Sequence, residues 1–98
     1  MSLPLTIRPE AERDLEEAAA WYEQQRGGLG CEFLDRVQEA LRAIAEQPRL
    51  YPVVHRHARR ALARRFPFGI YYVMEHERIV VVAVMHGSRD PRRWQTRA

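Results

Sequence analysis

Lysine is absent: all sixteen basic residues of this 98-residue chain are arginine. Chemistry that rests on a lysine amine is therefore excluded. The single cysteine, Cys31, rules out an internal disulfide and offers no metal-ligand cluster; as a small apolar residue it is expected to be buried. The longest unbroken apolar run, Ile79 to Met85, is seven residues, whereas a membrane span needs roughly 20. Met1-Ser2-Leu3-Pro4-Leu5 lacks a basic segment followed by an apolar stretch, so a signal peptide is not expected. No repeat, low-complexity tract or linker divides the chain. The expectation is one small domain over residues 1–98, cytoplasmic, with no membrane segment, metal or cofactor.

Charge is distributed unevenly. Residues 1–47 carry five arginines and ten acids, and residues 48–98 carry eleven arginines and three acids. The second half should attract a polyanion or an acidic partner, and the first should not.

Leu3 to Arg8 alternates weakly and predicts a short strand that ends at Pro9. Proline suits the first position of a helix, and Ala11, Leu15, Ala18 and Tyr22 then recur at helical spacing. Arg26-Gly27-Gly28-Leu29-Gly30 turns the chain into a second helix. Its stripe is Gly30, Leu34, Val37, Leu41 and Ile44, widened by Phe33 and Ala40, and Pro48 ends it. Residues 49–58 read as a loop with a short extended piece. Arg59 to Phe66 alternates arginine with small or apolar residues and predicts a strand with one basic face. Phe68 to Met74 and Arg78 to Met85 are β-rich and joined by Glu75-His76-Glu77. Because Ile79 to Met85 is apolar on both faces, that strand belongs inside the sheet. The predicted fold is α+β, in the order β-α-α-β-β-β, with a helical hairpin on one face of a small, mainly antiparallel sheet. The other face is expected to stay partly open.

AERDLEEAAAWY, EFLDRVQEALRAIAEQPRLYP and RRFPFGIYYVMEHERIVVVAVMHGSRDPRRW, in this order and spacing, resemble the RelE/ParE superfamily of type II toxin–antitoxin toxins over nearly the whole chain. The closing strand followed by HGSRDP is more similar to the ParE branch. The resemblance implies a cognate antitoxin with an acidic amphipathic segment, a toxin–antitoxin heterotetramer, and growth arrest by the free toxin. ParE-branch members are associated with poisoning DNA gyrase and perform no chemistry. RelE-type members cut messenger RNA on the ribosome, commonly with lysines, arginines and a late tyrosine. This chain has no lysine and no tyrosine after Tyr72, which favours gyrase as the target over the ribosome and its mRNA. A third reading is a non-toxic partner within an antitoxin–DNA repressor complex.

If the chain were an endonuclease, His86 would act as base or acid with Arg65 and Arg89 clamping phosphate, and Trp94 could stack on a base. The plainer role for His86 is to end the strand and bond a nearby carbonyl or Asp90. Arg89-Asp90-Pro91 reads equally as a turn held by Asp90. Arg64 and Arg65, adjacent in the predicted strand, should face opposite ways, with Arg65 on the open face. Arg60, Arg64, Arg65, Arg89, Arg92, Arg93 and Trp94 are candidate partner contacts, since guanidinium binds carboxylate and phosphate bidentately. Arg92, Arg93, Trp94 and Arg97 otherwise form a solvated tail. His55, Arg56, His57, Arg59 and Arg60 form a second basic cluster without the ligands a metal needs. Trp21 and Tyr22 lie at the edge of the helix packing or form an apolar docking site.

Overall fold

The computed structural model of the protein describes residues 2–98. β1 (Leu5–Ile7) runs into α1 (Pro9–Gln25). Pro9 costs no hydrogen bond in the first turn, where its missing N–H would have no helical acceptor. Glu10 and Glu12 sit in that turn, where the helix dipole favours anions. Gly28 turns the chain with φ of 89°, a left-handed conformation that glycine adopts without a Cβ clash. α2 (Leu29–Glu46) then packs along α1. The Glu23 carboxylate accepts the N–H of Gly28 at 2.9 Å and of Gly30 at 3.0 Å, satisfying free amides at the start of α2. Those two bonds, Gly28 first, hold its carboxyl below the usual range. A Cβ at Gly30 would stand 2.7 Å from the Ala19 carbonyl oxygen, so glycine is what lets the two helices meet closely.

After Pro48 come β2 (Val53–His55), β3 (Ala58–Leu62), β4 (Phe68–Glu75), β5 (Arg78–His86) and a short α3 (Arg92–Gln95). The sheet order is β1-β5-β4-β3-β2, with β1 parallel to β5 and the other pairs antiparallel. This is the expected α+β layer, with β2 and α3 added to the expected elements. β5 lies between β1 and β4, as its two apolar faces require. The β4–β5 hairpin closes through His76 and Glu77, at φ 49° and 63°, the conformation whose twist suits a two-residue turn.

A bulge in β5 lets one strand feed two cores. Tyr71 faces Ala83 and Tyr72 faces Val81, leaving Val82 as the extra residue. Val82 and Ala83 thus point the same way, and the alternation resumes in opposite phase. Ile79, Val81 and Val84 join Phe33, Val37, Ile44 and Tyr72 under the helices. Val80, Val82, Ala83 and Met85 join Ala58, Tyr71 and Trp94 on the other face. The helix-side core is rich in aromatic edge contacts, with Tyr22–Phe66 and Phe33–Phe68 centroids each 4.9 Å apart. The Tyr72 hydroxyl donates to the Pro48 carbonyl at 2.6 Å, and burial pushes its pKa up to about 12.

Three expectations need correction. The third strand stops at Leu62, and Arg64 and Arg65 occupy a turn in which Arg65 has φ of 70°. The cause is Phe66, which dips under the helices onto Tyr22 and Phe33, so the chain must leave the sheet plane first. Pleat alternation therefore does not decide where Arg64 and Arg65 point. Residues 92–98 are not a loose solvated tail, because Trp94 is only 6% exposed and closes the second core. Cys31 is exposed: it lies on the outer side of α2, while the neighbouring Gly30 takes the buried position.

Candidate partner-binding groove

β1 is three residues long and β5 is nine, so β1 covers β5 only as far as Val81. Beyond it, the edge from Val82 to His86 has no strand beside it among the described residues. A groove of about 480 Å³ lies there, between α1 and the end of β5. Trp21, Tyr22, Phe68 and Val84 supply its apolar surface; Asp14 and Glu17 lie along α1, and His86, Arg89 and Arg93 lie opposite. Trp21 is 56% exposed, with its ring edge-on to Tyr22 at 5.1 Å. Among the described residues neither Arg89 nor Arg93 has an ion-pair partner.

His86 sits at the mouth of this groove. Its Nδ1 accepts the Ser88 N–H at 3.0 Å and lies 2.8 Å from Ser88 Oγ, while its ring meets Phe68 edge-on at 5.5 Å. Of the expected partners, a nearby carbonyl or Asp90, neither bonds its ring among the described residues; Ser88 does. Asp90 instead accepts the Arg92 N–H at 3.0 Å and the Arg92 guanidinium at 2.6 Å. That guanidinium, and then the Arg92 amide, hold its carboxyl below the ordinary range. Asp90 therefore builds the turn into α3, and Arg92 is tied to it at the surface.

The remaining candidates lie elsewhere. Arg60 on β3 crosses the second face beside Gly69 and Tyr71, and its buried Nε has no partner among the described residues. Gly69 makes room for it, since a Cβ there would lie 3.0 Å from Arg60 Cδ. Arg64 lines a shallow depression between α2 and β3 with Arg36 and Glu39. Arg65 is exposed in its turn and does not line the groove. Trp94 stacks on Tyr71 at 4.1 Å and 16°, with His55 edge-on at 5.9 Å, so it is a core residue and offers no free ring face to a base. The groove thus gathers Trp21, Tyr22, His86, Arg89 and Arg93, and leaves Arg60, Arg64, Arg65 and Trp94 outside it.

Sequence reasoning missed Asp14. Its Oδ2 accepts the Val84 N–H at 3.0 Å and receives Arg97 Nη1 at 2.7 Å, and the same Arg97 nitrogen donates to the Val82 carbonyl at 3.1 Å. One signal was present: Asp14 falls within the Ala11, Leu15, Ala18 stripe, and a carboxylate on the apolar side of a helix calls for a buried partner. No metal-ligating cluster of histidine, cysteine or carboxylate occurs among the described residues, and none of their helices is long and apolar enough to cross a membrane.

The fold is shared with chains from solved toxin–antitoxin systems. The chromosomal ParDE system from P. aeruginosa superimposes with a TM-score of 0.78 at 15% identity, over 87% of this chain and 96% of that one. The toxin–antitoxin complex RelBE2 from Mycobacterium tuberculosis gives 0.64 at 21% identity, over 91% and 95%. No curated protein is similar enough in sequence to count as a relative. Residues 5–91 match the family of ParE toxins of the type II toxin–antitoxin system parDE, and the chain belongs to that family.

Proposed function

We propose that this chain, working in the cytoplasm, arrests growth by protein contact with DNA gyrase, without bond chemistry of its own. We also propose that an acidic amphipathic segment of a cognate antitoxin neutralises it by lying in the groove between α1 and β5. The observation that carries the second statement is the half-exposed Trp21 over an apolar floor, with Arg89 and Arg93, unpaired among the described residues, alongside. An apolar stripe would cover Trp21 and Phe68, and acidic residues beside it would meet the two guanidiniums. Asp14 does not oppose this arrangement, because its charge is already met by Arg97.

Family membership and the missing lysines favour gyrase as the target. Messenger RNA cleavage by His86 with Arg65 and Arg89 has less support, since Arg65 lies outside the groove and Ser88 already engages His86 Nδ1. Adding the folded protein to gyrase and supercoiled plasmid should block supercoiling or trap a cleavage complex. Absence of both rejects gyrase as the target. The groove assignment is tested separately by binding the product of a neighbouring antitoxin reading frame. Arg89→Glu with Arg93→Glu should weaken that complex by at least tenfold, on the order expected for losing charged interface contacts. Unchanged affinity rejects the groove.

A further inference from the structure

Residues 92–98 pass around the free edge of β5. Trp94 lies on the sheet face away from the helical hairpin, Arg97 reaches the edge itself, and Asp14 meets it from α1 on the helical side. The arrangement replaces the missing continuation of β1. A neighbouring strand would offer a donor to the Val82 carbonyl and an acceptor to the Val84 amide. Arg97 Nη1 supplies the donor at 3.1 Å, and Asp14 Oδ2 supplies the acceptor at 3.0 Å. The two side chains also pair with each other, through Nη1 at 2.7 Å and Nη2 at 3.3 Å. The Arg97 carbonyl in turn accepts Arg8 Nη1 at 2.9 Å, tying the end of the chain to the start of α1.

We propose that residues 92–98 form a strap that closes as one unit over this edge. Releasing the Asp14–Arg97 clasp then frees the Val82–Val84 edge and uncovers the apolar face beneath Trp94 in the same event. α3 has four residues, far below the length at which a helix persists alone, so it depends on its anchors. Its long-range anchors are the Trp94–Tyr71 stack and, three residues on, the Arg97 clasp together with the Arg8 bond to the Arg97 carbonyl. The clasp is largely sheltered, with side chains 23% and 15% exposed, so loss of Arg97 leaves Asp14 with an unpaired charge in a place mostly closed to water. When closed, the strap covers the kind of strand edge that invites unwanted pairing. When open, it presents that edge together with Ala58, Tyr71 and Met85 on the adjoining face. The device therefore controls two surfaces by one local opening, and elements that move are drawn from such weakly held segments.

The test uses Trp21→Phe as background, so that Trp94 is the sole tryptophan. Adding Arg97→Ala should shift Trp94 emission to the red and raise its quenching by acrylamide severalfold. Exchange of the Val84 amide should accelerate on the order of tenfold, while the β4–β5 ladder amides and the far-ultraviolet dichroism stay unchanged. Faster Val84 exchange with Trp94 still shielded, or no change in either, overturns the strap. Should Arg97→Ala fail to fold, the unaltered chain decides. Its Val84 and Gln95 amides should show one opening free energy, falling together in low urea below the global transition. Opening free energies that differ, or respond separately to urea, overturn the proposal.

Discussion

On one face of the sheet, two helices of 17 and 18 residues lay Ala11, Phe33, Val37 and Ile44 onto Ile70, Tyr72 and Val81. On the other face, a helix of four residues sets one tryptophan on Tyr71, and the remaining cover is the flank of Arg60 and His55. Both faces are apolar and both draw on β5, so the difference lies in how many independent contacts hold the cover down. A long amphipathic helix is fixed at several turns at once, and loss of one contact leaves the others. A short helix fixed by one ring and by the contacts of a single arginine can leave as a whole. The comparison locates where this molecule is rigid and where it can open, and the free edge of β5 lies on the boundary between the two.

The largest test of this contrast is a pair of truncations. Phe33→Ala removes the ring shared by Tyr22, Phe66 and Phe68 and should cost about 3–5 kcal/mol, as buried phenylalanines do. Trp94→Ala should cost less, about 1.5–3 kcal/mol, because the site lies under a helix that can fray. Urea unfolding of both variants measures this, and equal losses break the distinction between the faces.

A smaller effect probes the helix-side core through Tyr72. Tyr72→Phe keeps the ring but leaves the Pro48 carbonyl without its donor, at a cost of about 1 kcal/mol. The pH dependence has a definite sign. An unfolded tyrosine ionises near its ordinary 10.0, whereas Tyr72 in the fold ionises at about 12. The folded state therefore loses stability as pH rises through that window, since the unfolded chain releases its proton first. Tyr72→Phe should flatten this alkaline limb, with Tyr22, also raised by burial, keeping a remainder. An unaltered limb in denaturant titrations would show that the phenol is not held in the core as described.

The smallest effect concerns the hairpin. The Glu23 carboxyl is held below its ordinary value of 4.5 by the amides of Gly28 and Gly30. Its contribution is present above that value and fades as pH falls through the lowered folded one. Glu23→Gln keeps an acceptor but cannot titrate, so its melting temperature should vary less with acidification than that of the unaltered chain. Parallel pH–melting curves for the two proteins would remove Glu23 as the clasp of the turn.

Local patterns made much of the architecture legible. Helical spacing in Ala11, Leu15, Ala18 and Tyr22, the glycine turn, and the two-sided apolarity of Ile79 to Met85 each reflect a short-range rule that reads directly from neighbours in the chain. The site was only partly legible. Trp21, Tyr22, His86, Arg89 and Arg93 were identified by residue type and do meet in one groove. Arg65 and Trp94 were not separable from them, because nothing local says that Phe66 pulls the turn under the helices or that Trp94 meets Tyr71. Asp14 and Arg97 stand 83 residues apart, and no periodicity connects them.

By itself, then, the order of residues determined the main helices and strands, the helical hairpin, the inner position of β5 and the basic character of the second half. These depend on backbone preference and on apolar residues recurring at one period, which act over a few residues. Tertiary structure alone decided which faces are covered, which arginines stay free, and that an aspartate and an arginine take the place of a strand. Those outcomes depend on where β1 ends, on a single extra residue at Val82, and on contacts between chain segments that become neighbours only after folding.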